Sequence, residues 1–137
     1  QKMKSARNVD FVNETFFPQY TDVTDINRGE CFVWAYIAYR LFPNLELWDM
    51  EAHAFVRSKV TGKFYDSETP EGVEDYKDLP ATFNGKGFGC EICGQPAKKY
   101  TSMRQYKYEW RFQIKRFSVD FNDLNKKIRK TIQETNP

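Results

Sequence analysis

The chain has 137 residues, of which 17% are aromatic and 29% are charged, and its formal net charge is +2. High aromatic content with a small net charge excludes an intrinsically disordered chain and gives no support to a nucleic-acid partner. A chain of this length is expected to form one domain with a core of its own. No apolar run reaches the roughly 20 residues of a membrane-spanning helix. We therefore expect no membrane partner, and the oligomeric state stays open.

The chain has three cysteines and one histidine. An odd number of cysteines makes a poor disulfide framework and indicates a reducing compartment. We therefore expect a cytoplasmic protein. Secretion stays open, because Cys90 and Cys93 could pair and a leader could have been removed before Gln1.

The first two predicted elements are helices. Aromatic and apolar residues over 11–17 predict a short helix that Pro18 stops. Residues 30–42 predict a second helix that is apolar nearly all round, as a buried central helix is. Asn27 and Glu30 have the spacing of a capping box at its start.

Residues 52–67 predict a β-hairpin, because two strand-like runs flank the turn signal Thr61-Gly62. With these two residues at the centre of the turn, His53 and Asp66 face the same side of the hairpin. They would then lie four residues out of direct register, roughly 13 Å along the strand. A longer loop would set them directly opposite each other.

The C-terminal half contains three further predicted segments. Residues 69–104 hold five of the seven glycines and predict an irregular Gly/Pro-rich insertion, either a long loop or a knuckle. Residues 105–119 predict a strand, because aromatic or apolar residues alternate with polar ones. Residues 120–134 predict an amphipathic C-terminal helix. The fold class is therefore α+β, with the N-terminal helix buried against an antiparallel sheet.

Three residues that can carry chemistry lie, in chain order, at the ends of three predicted elements. Cys31 begins the buried helix, whose N-terminus favours a thiolate and offers N–H groups to an oxyanion. His53 begins a strand, where it can take the thiol proton and return it to a leaving amine. Asp66 ends the next strand and can orient the imidazole, with Glu68 and Ser67 as alternatives. Each of the first three, taken alone, also fits a purely structural role.

This order of residues resembles the papain-like cysteine hydrolase superfamily, in particular the small, circularly rearranged NlpC-type peptidases and transglutaminase-like proteins. The stretch HAFVRSKVTGKFYDSE is similar to their His–hairpin–Asp unit, and the resemblance covers residues 27–68. It implies a single papain-like domain over 1–137 with a catalytic triad: Cys31 as nucleophile, His53 as base and Asp66 as orienting residue. It further implies hydrolysis or acyl transfer at an amide bond of a peptide, peptidoglycan-type or protein substrate, without a cofactor.

Two features near the nucleophile depart from the papain pattern. Glu30 immediately precedes Cys31, and its negative charge would oppose formation of a thiolate. The side chain that completes the oxyanion hole upstream of the nucleophile has no clear counterpart, and Asn27 and Asp25 are candidates for it. Asn27 and Glu30 are therefore the expected supporting residues around the sulfur.

A second motif, Cys90-Glu-Ile-Cys93 followed by glycine, resembles half of a zinc knuckle. Zinc held by Cys90 and Cys93 with further ligands is one interpretation, and a reversible disulfide or two idle thiols is the other. A zinc deaminase would need a glutamate two residues after His53, where Phe55 stands. The alternative to a catalytic domain is therefore a zinc-knuckle module or an inactive papain-like binding module.

Overall fold

The computed structural model describes residues 6–50, 53–82, 97–116 and 121–135. Within them the chain forms helices and one four-stranded antiparallel sheet, which confirms the predicted α+β class. The helices are α1 (Ala6–Phe16), α2 (Cys31–Leu41), α3 (Met103–Arg116) and α4 (Phe121–Thr135), and the strands are β1 (Leu45–Met50), β2 (His53–Ser58), β3 (Phe64–Tyr65) and β4 (Lys98–Lys99). None of the described helices is long and apolar enough to cross a membrane.

The sheet has the strand order β3-β2-β1-β4, so β2 is an inner strand. Ala54 and Val56 face the main core, to which α2 contributes nearly all of its side chains. Phe55 belongs to a second apolar cluster with Phe64. Alternate side chains of β2 therefore point to two different apolar clusters, as the predicted hairpin requires, and both faces of the strand are buried.

The buried helix α2 confirms the helix predicted over 30–42, but the predicted capping box is wrong. Glu30 is itself the N-cap residue, and its side chain makes no capping hydrogen bond. Asn27 lies inside a preceding 3-10 helix, Val23–Arg28, rather than at a cap position. The first predicted helix is also present as α1, which ends before Pro18.

The strand predicted over 105–119 is wrong, because α3 occupies most of this range. Tyr106 and Trp110 are buried, whereas Tyr108 between them is 62% exposed. A spacing of four places the first two on one side of a helix, and it also satisfies an alternating pattern. Strong helix formers fill the positions between the aromatic residues, and they favour a helix.

The segment predicted as an insertion, 69–104, carries short elements of its own. It includes two 3-10 helices, Tyr76–Asp78 and Pro80–Thr82, and the edge strand β4. The remaining part, 83–96, lies outside the described residues. The strand β1, for which the sequence predicts no element, pairs with β2 along its whole length.

Candidate active site

Cys31 is the first residue of α2, where the N–H groups of the first helical turn have no acceptor within the helix. Its sulfur faces the sheet, because the backbone N–H of Ala54 on β2 donates to Sγ at 3.5 Å. The residue is only 2% exposed. The thiol therefore lies between the helix N-terminus and the beginning of the strand that carries His53.

His53 and Asp66 form a direct, buried polar contact. Nε2 of His53 lies 2.9 Å from Oδ2 of Asp66, and both side chains are almost fully buried. The second carboxylate oxygen, Oδ1, accepts a hydrogen bond from the backbone N–H of Glu68 at 3.1 Å. Asp66 is thus held by a backbone group of its own segment while its other oxygen contacts the imidazole.

The register of the hairpin explains how these two residues meet. Val56 pairs with Tyr65. If this pairing is continued by one residue, Asp66 lies opposite Phe55, which is two residues after His53 on β2. The predicted offset of four residues is wrong, because the bond from the Ser58 N–H to the Lys63 carbonyl closes a loop of four residues, 59–62. Diagonal neighbours at an offset of two remain within reach of long side chains.

The charge of His53 depends on its two polar neighbours. Burial lowers the pKa of the imidazole, but hydrogen bonds with Asp66 and Cys31 and the charges of both raise it to about 10. Because Nε2 faces Asp66, Nδ1 is the nitrogen left for the sulfur. Nδ1 is buried and has no partner of conventional hydrogen-bond geometry among the described residues. The ring also stacks on Phe55, with 5.7 Å between the centroids.

The side chain of Glu30 makes no capping hydrogen bond, either to Asn27 or to its own helix. Its carboxylate accepts a hydrogen bond from the hydroxyl group of Tyr20, which lies between α1 and the 3-10 helix. Burial, followed by the hydrogen bond and the charge of Glu30, raises the pKa of Tyr20 to about 12. Tyr20 was not identified from the sequence, and its distance of ten residues from Glu30 gives no local signal.

The remaining candidate residues lie beside Asp66. Burial raises the pKa of Glu68, the charge of Asp66 adds to this effect, and a hydrogen bond from Asn27 acts in the opposite direction. The side-chain amide of Asn27 is otherwise buried without a conventional partner among the described residues. The Ser67 hydroxyl donates to the Val23 carbonyl instead of approaching the imidazole. Asn27 and Glu68 therefore border the site, and Ser67 supports the chain next to it.

Two residues of α3 lie over the first turn of α2. The hydroxyl group of Tyr106 donates to the carbonyl of Phe32, and the indole of Trp110 stacks on the Phe32 ring at 5.3 Å. Burial and then the charge of Cys31 raise the pKa of Tyr106 well above its ordinary value. Neither residue was identified from the sequence, because the alternating pattern of this segment predicts a strand. Their spacing of four was the signal that identifies them.

The metal-binding hypothesis concerns Cys90 and Cys93, which lie outside the described residues. Within the described ranges, no group of three or more His, Cys, Asp or Glu side chains is arranged to hold a metal ion.

Comparison with protein families, curated proteins and solved structures finds no significant match to this chain.

Proposed function

We propose that this chain is a papain-like, cysteine-dependent enzyme that hydrolyses an amide bond or transfers its acyl group. The observation that supports this most directly is the buried contact between His53 and Asp66 next to the sulfur of Cys31. Three residues from separate segments of the chain lie close together at one end of the sheet, and their side-chain types suit a nucleophile, a base and an orienting group.

The acylation step uses the protonated state of His53. Its pKa of about 10 keeps the ring charged at neutral pH, and a neighbouring imidazolium favours a thiolate. The thiolate of Cys31 attacks the amide carbonyl and forms a C–S bond, while the carbonyl electron pair moves to oxygen. The C–N bond then breaks, and His53 donates its proton to the leaving amine.

The deacylation step regenerates the pair. Neutral His53 takes a proton from water, or from an acceptor amine if the reaction is acyl transfer, and the incoming oxygen or nitrogen breaks the thioester. Asp66 keeps the imidazole oriented through Nε2. The first-turn N–H groups of α2, with the amide of Asn27 as a candidate partner, would hold the oxyanion.

The test is the pH dependence of Cys31 alkylation by iodoacetamide, followed by peptide mass spectrometry to separate Cys31 from Cys90 and Cys93. The proposal expects the rate to rise well below pH 8 in the native chain. The variant His53→Ala should label only above roughly pH 8, as an unperturbed thiol does. A rate that rises only there in both proteins contradicts the proposal.

The burial of the site favours one alternative, a papain-like scaffold that binds a partner without turnover. Cys31, His53 and Asp66 are 2%, 4% and 0% exposed, so a substrate must displace part of the covering structure before it reaches the sulfur. If iodoacetamide labels Cys31 only when the chain is unfolded, at every pH, the inactive scaffold is the better description.

A further inference from the structure

Glu30 places a carboxylate one residue before the proposed nucleophile. Two negative charges at one helix N-terminus compete for the same N–H groups, and each raises the cost of ionising the other. Where the Glu30 side chain points therefore matters to the thiolate state of Cys31, if the proposed function is correct.

The two side chains are directed toward different elements. The carboxylate of Glu30 meets the Tyr20 hydroxyl in the segment after α1. The sulfur of Cys31 meets the N–H of Ala54 on β2. Tyr20 is itself fixed, because its ring packs against Phe17 at 6.1 Å and its backbone N–H donates to the Phe17 carbonyl.

Tyr20 is a suitable tether over the whole working pH range. Its raised pKa, about 12, keeps the hydroxyl protonated and able to donate. The bond does not neutralise Glu30 but determines where its charge lies. Since Glu30 makes no capping bond to its own helix, the Tyr20 hydroxyl is the side-chain contact that directs this carboxylate.

We propose that Tyr20 is a positioning residue for Cys31: it holds the Glu30 carboxylate on the α1 side, away from the sulfur, so that the thiolate persists at neutral pH. This inference rests on the proposed function. It assigns Tyr20, which neither the papain pattern nor the hairpin motif includes, to the electrostatics of the nucleophile.

Other ionisable groups also act on this region and are unchanged in the test. They are His53 on β2, Asp66 after β3, Tyr106 on α3, Glu68 beside Asp66 and Asp25 on the 3-10 helix. A shift produced by Tyr20 must therefore be shown to act through Glu30 rather than through one of these groups.

The experiment measures the midpoint of the pH profile for alkylation of Cys31 in four proteins: native, Tyr20→Phe, Glu30→Gln and the double variant. Tyr20→Phe keeps the ring packing and removes only the hydroxyl, so we expect the midpoint to rise by about one pH unit. The midpoint of the double variant should equal that of Glu30→Gln, because neither protein has a charge at position 30 that Tyr20 could hold away from the sulfur. An equal shift in both backgrounds, or none in either, overturns the inference.

A second variant, Glu30→Asp, keeps the charge but shortens the side chain so that it no longer reaches Tyr20. It should raise the midpoint as Tyr20→Phe does, and it tests the inference even if the tyrosine variant is poorly folded. Failure of the proposed function is distinguishable: His53→Ala would then leave the native profile unchanged. If His53→Ala shifts the profile and neither tether variant does, only the role of Tyr20 is wrong.

Discussion

His53 and Asp66 are joined by a 2.9 Å contact, although they are diagonal rather than directly opposite across β2 and β3. The contact is buried, and it leaves Nδ1 as the ring nitrogen available to Cys31. Replacing Asp66 therefore tests both the fold and the proposed chemistry.

We expect Asp66→Asn to destabilise the chain and to abolish alkylation of Cys31 at low pH. An amide keeps the shape of the side chain but leaves the charge of His53 without its buried partner, which costs about 3 kcal/mol. Urea unfolding measures the first effect and the alkylation profile measures the second.

Asp75→Asn is a matched control for this variant. Oδ1 of Asp75 accepts from the N–H of Lys77 just as Oδ1 of Asp66 accepts from Glu68, but Asp75 is exposed and has no histidine partner. Its effect on unfolding should stay below about 1 kcal/mol. Equal losses in the two variants would mean that the local turn, and not the imidazole, makes Asp66 important.

The titration of His53 predicts how stability depends on pH. Its pKa is raised in the folded chain, from 6.5 to about 10, so the stabilisation is complete below pH 6.5 and is lost as the pH rises toward 10. The chain has one histidine, so the imidazole signals in an NMR pH titration come from His53 and give its midpoint directly. We expect a midpoint near 10 that falls in Asp66→Asn, together with a free energy of unfolding that decreases from pH 6.5 to 10. A midpoint near 6.5 contradicts the prediction.

The sequence was sufficient to predict that Cys31 begins a helix, that His53 begins a strand and that Asp66 lies at the end of the next strand, because each element has a clear boundary signal. Their catalytic roles remain a proposal. It was insufficient for the hairpin register. That register depends on a four-residue loop in which the Ser58 hydroxyl accepts from the backbone N–H groups of Val60 and Thr61. Such a side-chain bond has no propensity signal, so a turn centred on Thr61 and Gly62 was the natural but wrong prediction.

The error over α3 has a different origin. An alternating pattern and a spacing of four coincide at Tyr106 and Trp110, and the sequence alone does not show which of the intervening residues is exposed. The packing of both aromatic residues near Phe32 decides it. This error hid the helix whose Tyr106 and Trp110 pack on Phe32, the residue after the proposed nucleophile.

Gly72 offers a test of the packing next to Asp66. Its φ is +77°, and a Cβ there would lie 2.7 Å from two ring atoms of Tyr65, the residue before Asp66. Gly72→Ala should therefore cost more than the roughly 1–2 kcal/mol of a left-handed alanine, and it should also shift the NMR midpoint of His53. Gly62→Ala is the control, because φ is +75° but its nearest contact is 3.7 Å away. Equal losses in the two variants would show that the Tyr65 contact has no effect.

Removing a side chain of α3 that packs on Phe32 should make the Cys31 thiol more accessible. Trp110→Ala deletes the ring that stacks on Phe32, and we expect alkylation of Cys31 at pH 7 to accelerate several-fold. The same change should lower the free energy of unfolding by about 3–5 kcal/mol, so the rates must be compared where both proteins are fully folded. Tyr108→Ala is the control on the same helix, because Tyr108 is exposed, and its labelling rate should equal that of the native chain.

If Trp110→Ala leaves the rate unchanged while the protein stays folded, α3 does not limit access to the sulfur. A substrate would then have to approach from another side of the site.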